Sequence, residues 1–512
     1  MSQIKPTGQE GEEAFATLRN NANAIRAICS AVEGTLGPKG LDTMLVGTQG
    51  EVVITNDGVT ILEKMDVTHP AARLLIQVAR SQQHQVGDGT TTATVLAGAL
   101  VAEGVAQVTR GVPVAKVVRG VQDGVAAALE SLARRARPLE GMSDPLLYRI
   151  AYIAGREHAD LAKLIVEGAK RLGPAKLQEQ HFRFSDVVMS HGKAANEVWP
   201  GLLINKKPAN AQLDFPPDTA QVLLFQDAFE PETVDEEALM TDAGFHKQTQ
   251  LREQFRALLE KLVELRVGFV ASERAVDPEA EQFCTDHGIM VLQRLPRAEL
   301  RRIAEYTGAR PIRRGGLRKP ASELAGYLGF AGHVAYDERL ESVRMAEGKG
   351  RTQVSIVVGA STSEVVGERL RIARDAASSV QAALRGGCLP GGGAAEMAVA
   401  HELDRHRETV QGMEGFGIAA VAQALRKPLA QIVVNAGYNP LEKVEEVKAA
   451  QIASGNDALG IDCDTGSVAD MMAAGVVDPA EVKLHALQAA GEVACAVLRI
   501  HTVIKMRPRT EE

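Results

Sequence analysis

The sequence predicts a multidomain protein of α and α/β class, helical at both ends with an α/β segment between them. Three observations carry this. The chain has 512 residues, whereas a single core rarely grows past about 250–300, so roughly three domains are expected. Aromatic residues are only 4% against 45% hydrophobic overall, a composition that suits helices better than strand-rich sandwiches. The hydrophobic spacing also changes along the chain, from threes and fours at the ends to short strand-like runs alternating with helical ones in the middle.

Residues 17–33 read as a helix because Leu18, Ala22, Ile25, Ile28, Cys29 and Val32 recur at three and four. TLGPKG at 35–40 breaks it with a Gly-Pro turn. Residues 41–55 read as a hairpin turning at Gly47 and Gly50. A long helical region follows, interrupted at Gly87-Asp88-Gly89 and resumed over 90–109, with a further helix over 116–136 and a turn-rich junction at 138–145. In the middle third, strands at 221–226, 268–272 and 289–293 alternate with helices at 247–266, 277–286 and 297–306, and 355–358 is one more strand. A helix over 363–384 leads to Pro390-Gly391-Gly392-Gly393, and the remainder is helical and alanine-rich. Helical ends around an α/β middle suggest that the two ends share one domain.

A net charge of −8 argues against binding nucleic acid through a broad basic surface. The five cysteines, Cys29, Cys284, Cys388, Cys463 and Cys495, form no CxxC pair, so buried free thiols in a reducing cytosol are expected. The first residues carry no apolar export segment, and the apolar runs are broken short of the ~18 residues a membrane span needs. A cytoplasmic protein without membrane partners is expected. The histidines show no HExxH or paired metal spacing.

Four glycine-bearing loops are candidates for chemistry: Thr35-Leu36-Gly37-Pro38-Lys39-Gly40, Asn56-Asp57-Gly58, Gly87-Asp88-Gly89-Thr90-Thr91-Thr92 and Pro390-Gly391-Gly392-Gly393. None is a Walker A loop, and no Rossmann GxGxxG follows a strand. In the third loop, glycines let backbone N–H groups approach an anion, and the helix start adds partial positive charge. Its threonines offer N-cap or phosphate-donating hydroxyls. Asp88 suits Mg2+, which takes one or two carboxylates beside phosphate oxygens. Read alone, the loop is first a capped helix after a tight turn. Alone, Asp57 is a hairpin-turn residue and Asp375 a solvated helix charge paired with arginine. As a pair they are candidates for orienting water in phosphoryl transfer, which asks the protein mainly for positioning and charge neutralisation.

Together the loops resemble one family. TLGPKGLDTM (35–44), ITNDGVTIL (54–62), VGDGTTTATVLAGAL (86–100), PGGGAAEM (390–397), ALGIDCDTGSVADM (458–471) and AGVVDP (474–479) are similar in order and spacing to the chaperonins, specifically the built-in-lid type of archaea and the eukaryotic cytosol (group II). The resemblance implies a chaperonin fold with a helical equatorial domain (1–137 and 388–512), a small intermediate domain (138–196 and 349–387) and an α/β apical domain (197–348). A helical lid protrusion is implied at about 227–246, where Phe229, Leu239, Met240 and Phe245 sit amid acids; an ordinary long α/β loop is the plainer reading. It also implies an ATP hydrolase using ATP and Mg2+, with K+ as a further candidate ion. The subunits would self-assemble into a double-ring homo-oligomer that encloses unfolded proteins, promotes their folding and needs no co-chaperonin.

Residue by residue, the resemblance implies that Leu36, Gly37 and Pro38 line the nucleotide and that Gly89, Thr90, Thr91 and Thr92 cradle its phosphates. Asp88 would hold the metal, and Asp57 and Asp375 would position and activate water. Gly391 and Gly392 would approach the ribose, Asp478 would accept from its hydroxyls, and the Asp462–Cys463 backbone would lie near the adenine. Two departures stand out. Arg156 occupies the place where the family usually has a lysine sensing the γ-phosphate; the plainer reading is a surface pair with Glu157. The C-terminus, from Met506, lacks the family's Gly-Met-rich tail. Both lean toward the bacterial lidded branch (group III). The competing expectations are a chaperonin with a detached lid, a ring-forming structural protein with vestigial ATPase, and a small-molecule kinase using the same loops.

Overall fold

The structure is a computed structural model. It describes residues 7–504 except 49, 193, 213–218, 235–239 and 361–362, with backbone only for 7–15 and 363–364. Leu239 of the expected protrusion and the tail from Met506 therefore lie outside the described residues. The chain divides into two compact units: Met1–Asp186 with Gly367–Glu512, and Val187–Val366. The two helical ends do share a unit.

In chain order, the first unit opens with α1 (Thr7–Val32) and a hairpin of β1 (Thr43–Val46) and β2 (Val52–Thr55). There follow α2 (Gly58–Lys64), α3 (Pro70–Gln85), α4 (Thr90–Thr109), α5 (Val114–Arg135), α6 (Pro145–Ala154), α7 (Ala159–Leu172) and α8 (Pro174–Gln178). The helical period is visible in what is buried: α3 hides Ala71, Leu75, Val78, Ala79 and Gln82 along one stripe. Helix α4 is long and apolar enough to cross a membrane by length and composition, but most of it is buried within the unit; it is a core helix. The β1–β2 register pairs Thr43 with Thr55 and Val46 with Val52, so the turn lies at Gly47–Gly50 as expected. Asn56-Asp57-Gly58 is therefore not a hairpin turn. Asp57 instead caps α2.

The second unit contains β3 (Val188–Gly192), β4 (Glu197–Trp199), β5 (Gly201–Ile204), β6 (Ala220–Phe225), α9 (Asp242–Glu264), β7 (Val267–Ser272), α10 (Pro278–Asp286), β8 (Met290–Leu292), α11 (Arg297–Thr307), α12 (Ala321–Leu324), β9 (Gly329–Asp337), β10 (Ser342–Gly348) and β11 (Ser355–Ala360). Its main sheet has the order β5-β10-β9-β6-β7-β8. Strands β6, β7 and β8 are parallel, the α/β alternation expected from the sequence. The antiparallel pair β9–β10 was not expected, because GFAGHVAYD lacks a clean period-two pattern. A smaller sheet, β3-β11-β4, completes the unit. Phe229 corrects the expected protrusion: it is fully buried, stacked on Phe225 at 4.5 Å and edge-on to Phe255 at 5.8 Å. It is core, not lid. Met240 and Phe245 are 91% and 65% exposed.

The chain then returns to the first unit. Helix α13 (Ser363–Gly386), β12 (Cys388–Pro390), α14 (Ala394–Thr409), α15 (Glu414–Asn435), α16 (Pro440–Ser454), β13 (Leu459–Ile461), β14 (Val468–Asp470), α17 (Met471–Ala474), β15 (Val477–Pro479) and α18 (Ala480–Leu498) follow. Helix α4 packs on α18, α15, α1 and α3, and α15 packs on α5. These helices bury one continuous aliphatic core, from Ile25 and Leu75 through Leu96 and Val121 to Leu425 and Leu487.

Candidate site at the start of helix α4

The site is built where α4 begins. Gly87 and Gly89 take positive φ of 84° and 79°, conformations open mainly to glycine. Gly89, not a threonine, is the N-cap of α4, and no side chain caps that helix. This corrects the expectation of a threonine cap and leaves the first-turn N–H groups open to an anion. The Thr90 hydroxyl instead donates to Asp57 Oδ1 at 3.3 Å, and those of Thr35 and Thr91 lie 3.4 Å apart.

Three carboxylates face this helix start. Asp57 is buried, its Oδ2 accepting from the Thr60 N–H at 3.0 Å and the Thr60 hydroxyl at 2.5 Å. Asp88 Oδ1 accepts from the Gly89 N–H at 2.6 Å, and its Oδ2 from the Ser379 hydroxyl at 2.5 Å. Asp375 lies on α13, 318 positions after Asp57 in sequence. Burial, then the charges of Asp88 and Asp57, raise its carboxyl well above the usual range, against the pull of Arg156 and Arg371. Burial likewise raises Asp88, opposed chiefly by its bonds to Ser379 and Gly89. Asp375 accepts no hydrogen bond among the described residues. Its neighbours are two carboxylates as well as two arginines, more than the plain arginine-paired helix charge of the simpler reading.

The other expected residues gather around these. Leu36-Gly37-Pro38 is fixed by α15: Asn435 donates to the Leu36 carbonyl at 2.8 Å, and a Cβ on Gly37 would meet Ile432 at 3.0 Å. Lys39 bridges to Asp464 at 2.6 Å, tying that loop to the β13–β14 turn that carries Asp462 and Cys463. Gly391 donates to the Val476 carbonyl at 2.9 Å and Leu389 pairs with Asp478, so the glycine loop and Asp478 sit on one small ladder. Arg156 and Glu157 both take positive φ, 51° and 62°, strained for non-glycine residues. Arg156 pairs with Glu368 at 3.8 Å, not with Glu157, and its charge reaches both Asp88 and Asp375.

Sequence reasoning missed three supporting residues. Ser379 is one, half of a Ser-Ser pair in an alanine-rich helix. The others are Lys483 and Glu396, both buried, with Lys483 bridging Glu396 at 2.7 Å and Asp478 at 2.8 Å. Burial pulls the Lys483 ammonium down, but the two carboxylates more than offset it and hold it above the usual lysine range. The buried helical lysine facing a Glu in GGGAAE was the available signal. Among the described residues, no group of three or more His, Cys, Asp or Glu side chains could hold a metal alone. The Asn56 Oδ1 is buried without a partner, as expected beside a site that a ligand completes.

The model of the TCP-1/cpn60 chaperonin family matches residues 28–508. The chain belongs to this family. Among its relatives are a thermosome subunit of Pyrococcus abyssi, 32% identical over 99% of this chain and 94% of the relative, and the thermosome subunit beta of Archaeoglobus fulgidus, 32% identical over 96% and 93%. A crystal structure of a group III chaperonin in the open state superposes with a TM-score of 0.87 at 42% identity, covering 96% of this chain and all of that one. The chaperonin fold and the ATP-dependent chaperonin function expected from the loops hold, on relatives of both the archaeal and the group III kind.

Proposed function

We propose that this chaperonin binds and hydrolyses ATP at the start of α4 and uses the cycle to enclose non-native proteins in a double ring of identical subunits, closed by its own lid. The observation that carries the reading is the convergence of Asp57, Asp88 and Asp375 on an uncapped helix N-terminus. The first-turn N–H groups and the hydroxyls of Thr91 and Thr92 take the phosphates. Asp88 would hold Mg2+, which would supply positive charge to offset that of the phosphates. Asp57, held by Thr60 and Thr90, orients the attacking water. Asp375 accepts its proton, a task suited to a carboxylate whose proton affinity is raised. Leu36, Gly37 and Pro38 line the nucleotide, Gly391 and Gly392 approach the ribose, Asp478 accepts from its hydroxyls, and the Asp462–Cys463 backbone meets the base. Arg156 reaches the γ-phosphate with a fork that can bind bidentately, which a lysine cannot.

In this reading the equatorial domain is 1–137 with 388–512, the intermediate domain 138–196 with 349–387, and the apical domain 197–348. The lid is the stretch after Phe229 up to the first turns of α9, and the protein works in the cytosol. The test is phosphate release from ATP by the purified chain and by Asp375→Ala. Loss of a proton acceptor should lower turnover about 10²–10⁴-fold. Equal turnover in both would leave a ring-forming protein with a vestigial ATPase, and stoichiometric transfer to an acceptor without free phosphate would make it a kinase.

A further inference from the structure

Among the polar side chains that helix α13 turns toward the phosphate loop are Asp375 and Ser379, which stand four residues apart and so share a face. Ser379 is fully buried, in a helix whose neighbouring positions Ala376, Ala377 and Val380 are core. A buried helical serine commonly returns its hydroxyl to the carbonyl one turn earlier. Here the hydroxyl crosses to Asp88 Oδ2 at 2.5 Å, while the Gly89 N–H holds Oδ1 at 2.6 Å. Each oxygen of the carboxylate thus has one donor, and its plane is fixed. Each oxygen also keeps a second lone pair, so the hydroxyl bond and a metal bond can coexist. The contact is close-packed: a Cβ on Gly87 would lie 2.3 Å from the Ser378 hydroxyl.

We propose that Ser379 is a positioning residue for Asp88, fixing the carboxylate from the same helix that delivers Asp375. Outer hydrogen bonds of this kind orient metal ligands, and losing one typically weakens metal affinity about 10–100-fold. The arrangement also makes metal binding sensitive to the seat of α13: a helix that has not arrived brings neither Asp375 to the water nor Ser379 to Asp88. The inference rests on the reading of Asp88 as the magnesium carboxylate.

The test compares ADP affinity with and without Mg2+ by calorimetry, in the wild-type chain and in Ser379→Ala. Alanine is the best helix former and removes only the hydroxyl. The expected result is an unchanged affinity for metal-free ADP and a gain from Mg2+ that shrinks about tenfold. Binding of Mn2+ to the ADP complex, followed by its electron paramagnetic resonance, should weaken in parallel. A metal-dependent gain equal to wild type would overturn the inference. So would an equal loss of affinity with and without Mg2+, which marks a merely structural role. A wild-type chain that gains nothing from Mg2+ would instead sink the reading of Asp88 as a metal ligand, and this inference with it.

Discussion

At the scale of single residues, Asp375 ties function to stability. Its carboxyl is raised by burial and by two neighbouring carboxylates, so the folded chain holds that proton more tightly than the unfolded chain does. Stability is therefore lost as pH rises from the unfolded value, about 4, through the raised folded value, and above it the whole penalty is present. Asp375→Asn removes the ionisation and should raise the thermal midpoint at pH 7.5 in the absence of nucleotide and metal. The gain should dwindle as the pH is lowered through about 4 and vanish below it, where the wild-type carboxyl is protonated in both states. Thermal unfolding of the two proteins across pH checks this. A midpoint difference that does not change with pH would mean that charge repulsion at this site costs nothing. A residue that destabilises the fold when ionised, yet lies at the centre of the site, is the expected signature of a group kept for chemistry.

At the scale of elements, the first unit depends on how closely its helices approach. Where α5 crosses α15, a Cβ on Gly120 would lie 1.9 Å from the Glu414 carbonyl oxygen, and one on Gly417 would lie 2.4 Å from that of Val117. Both obstacles are backbone and cannot swing aside. Gly120→Ala should therefore cost about 1–3 kcal/mol or more by overpacking, although alanine is the better helix former; chemical denaturation would measure it. A variant as stable as wild type would show that the two helices can slide apart freely. Such crossings mark the limit of what the sequence discloses. The helices of this unit were legible because stripes such as Ala71, Leu75, Val78 and Ala79 repeat at the helical period, and the four loops because glycine and aspartate punctuate them. The strands β6 to β8 were legible as short apolar runs. What was not legible depends on partners distant in the chain. Gly120 reads as a weak spot in a helix until Gly417 is set against it. Ser379 reads as a small polar residue until Asp88, 291 positions away, accepts from it. Phe229 looked exposed among acids until Phe225 and Phe255 closed over it, and Asp57 looked like a hairpin turn until Thr60 and Thr90 donated to it.

At the scale of the whole molecule, the question is what α9 is for. Its buried residues are Gly244, Phe255, Leu259 and Leu262, so the turns between Gly244 and Phe255 bury no apolar side chain. Half a helix with so little packing, Leu251 and Gln248 being only partly buried, is marginal in water. Here it is held at its start by Thr241, whose side chain accepts from the Gly244 N–H at 3.0 Å, and by Gln248, which accepts from the Val234 N–H at 2.9 Å. At that braced tip Met240 and Phe245 stand 91% and 65% exposed, a cost in water that a monomer has no reason to carry. In a ring, the same pair would meet neighbouring subunits when the cavity closes. Replacing both, Met240→Ser with Phe245→Ser, should leave the thermal midpoint of the chain within its error, since neither side chain contributes to a core. The double variant should populate closed rings much less than wild type when ATP and a phosphate transition-state mimic are added, as counted by electron microscopy without any added partner. Closure equal to wild type would remove this tip from the lid. Wild-type rings that never close alone would point to a detached lid, and a chain that forms no rings would leave the α4 site as a nucleotide site without a cavity to serve.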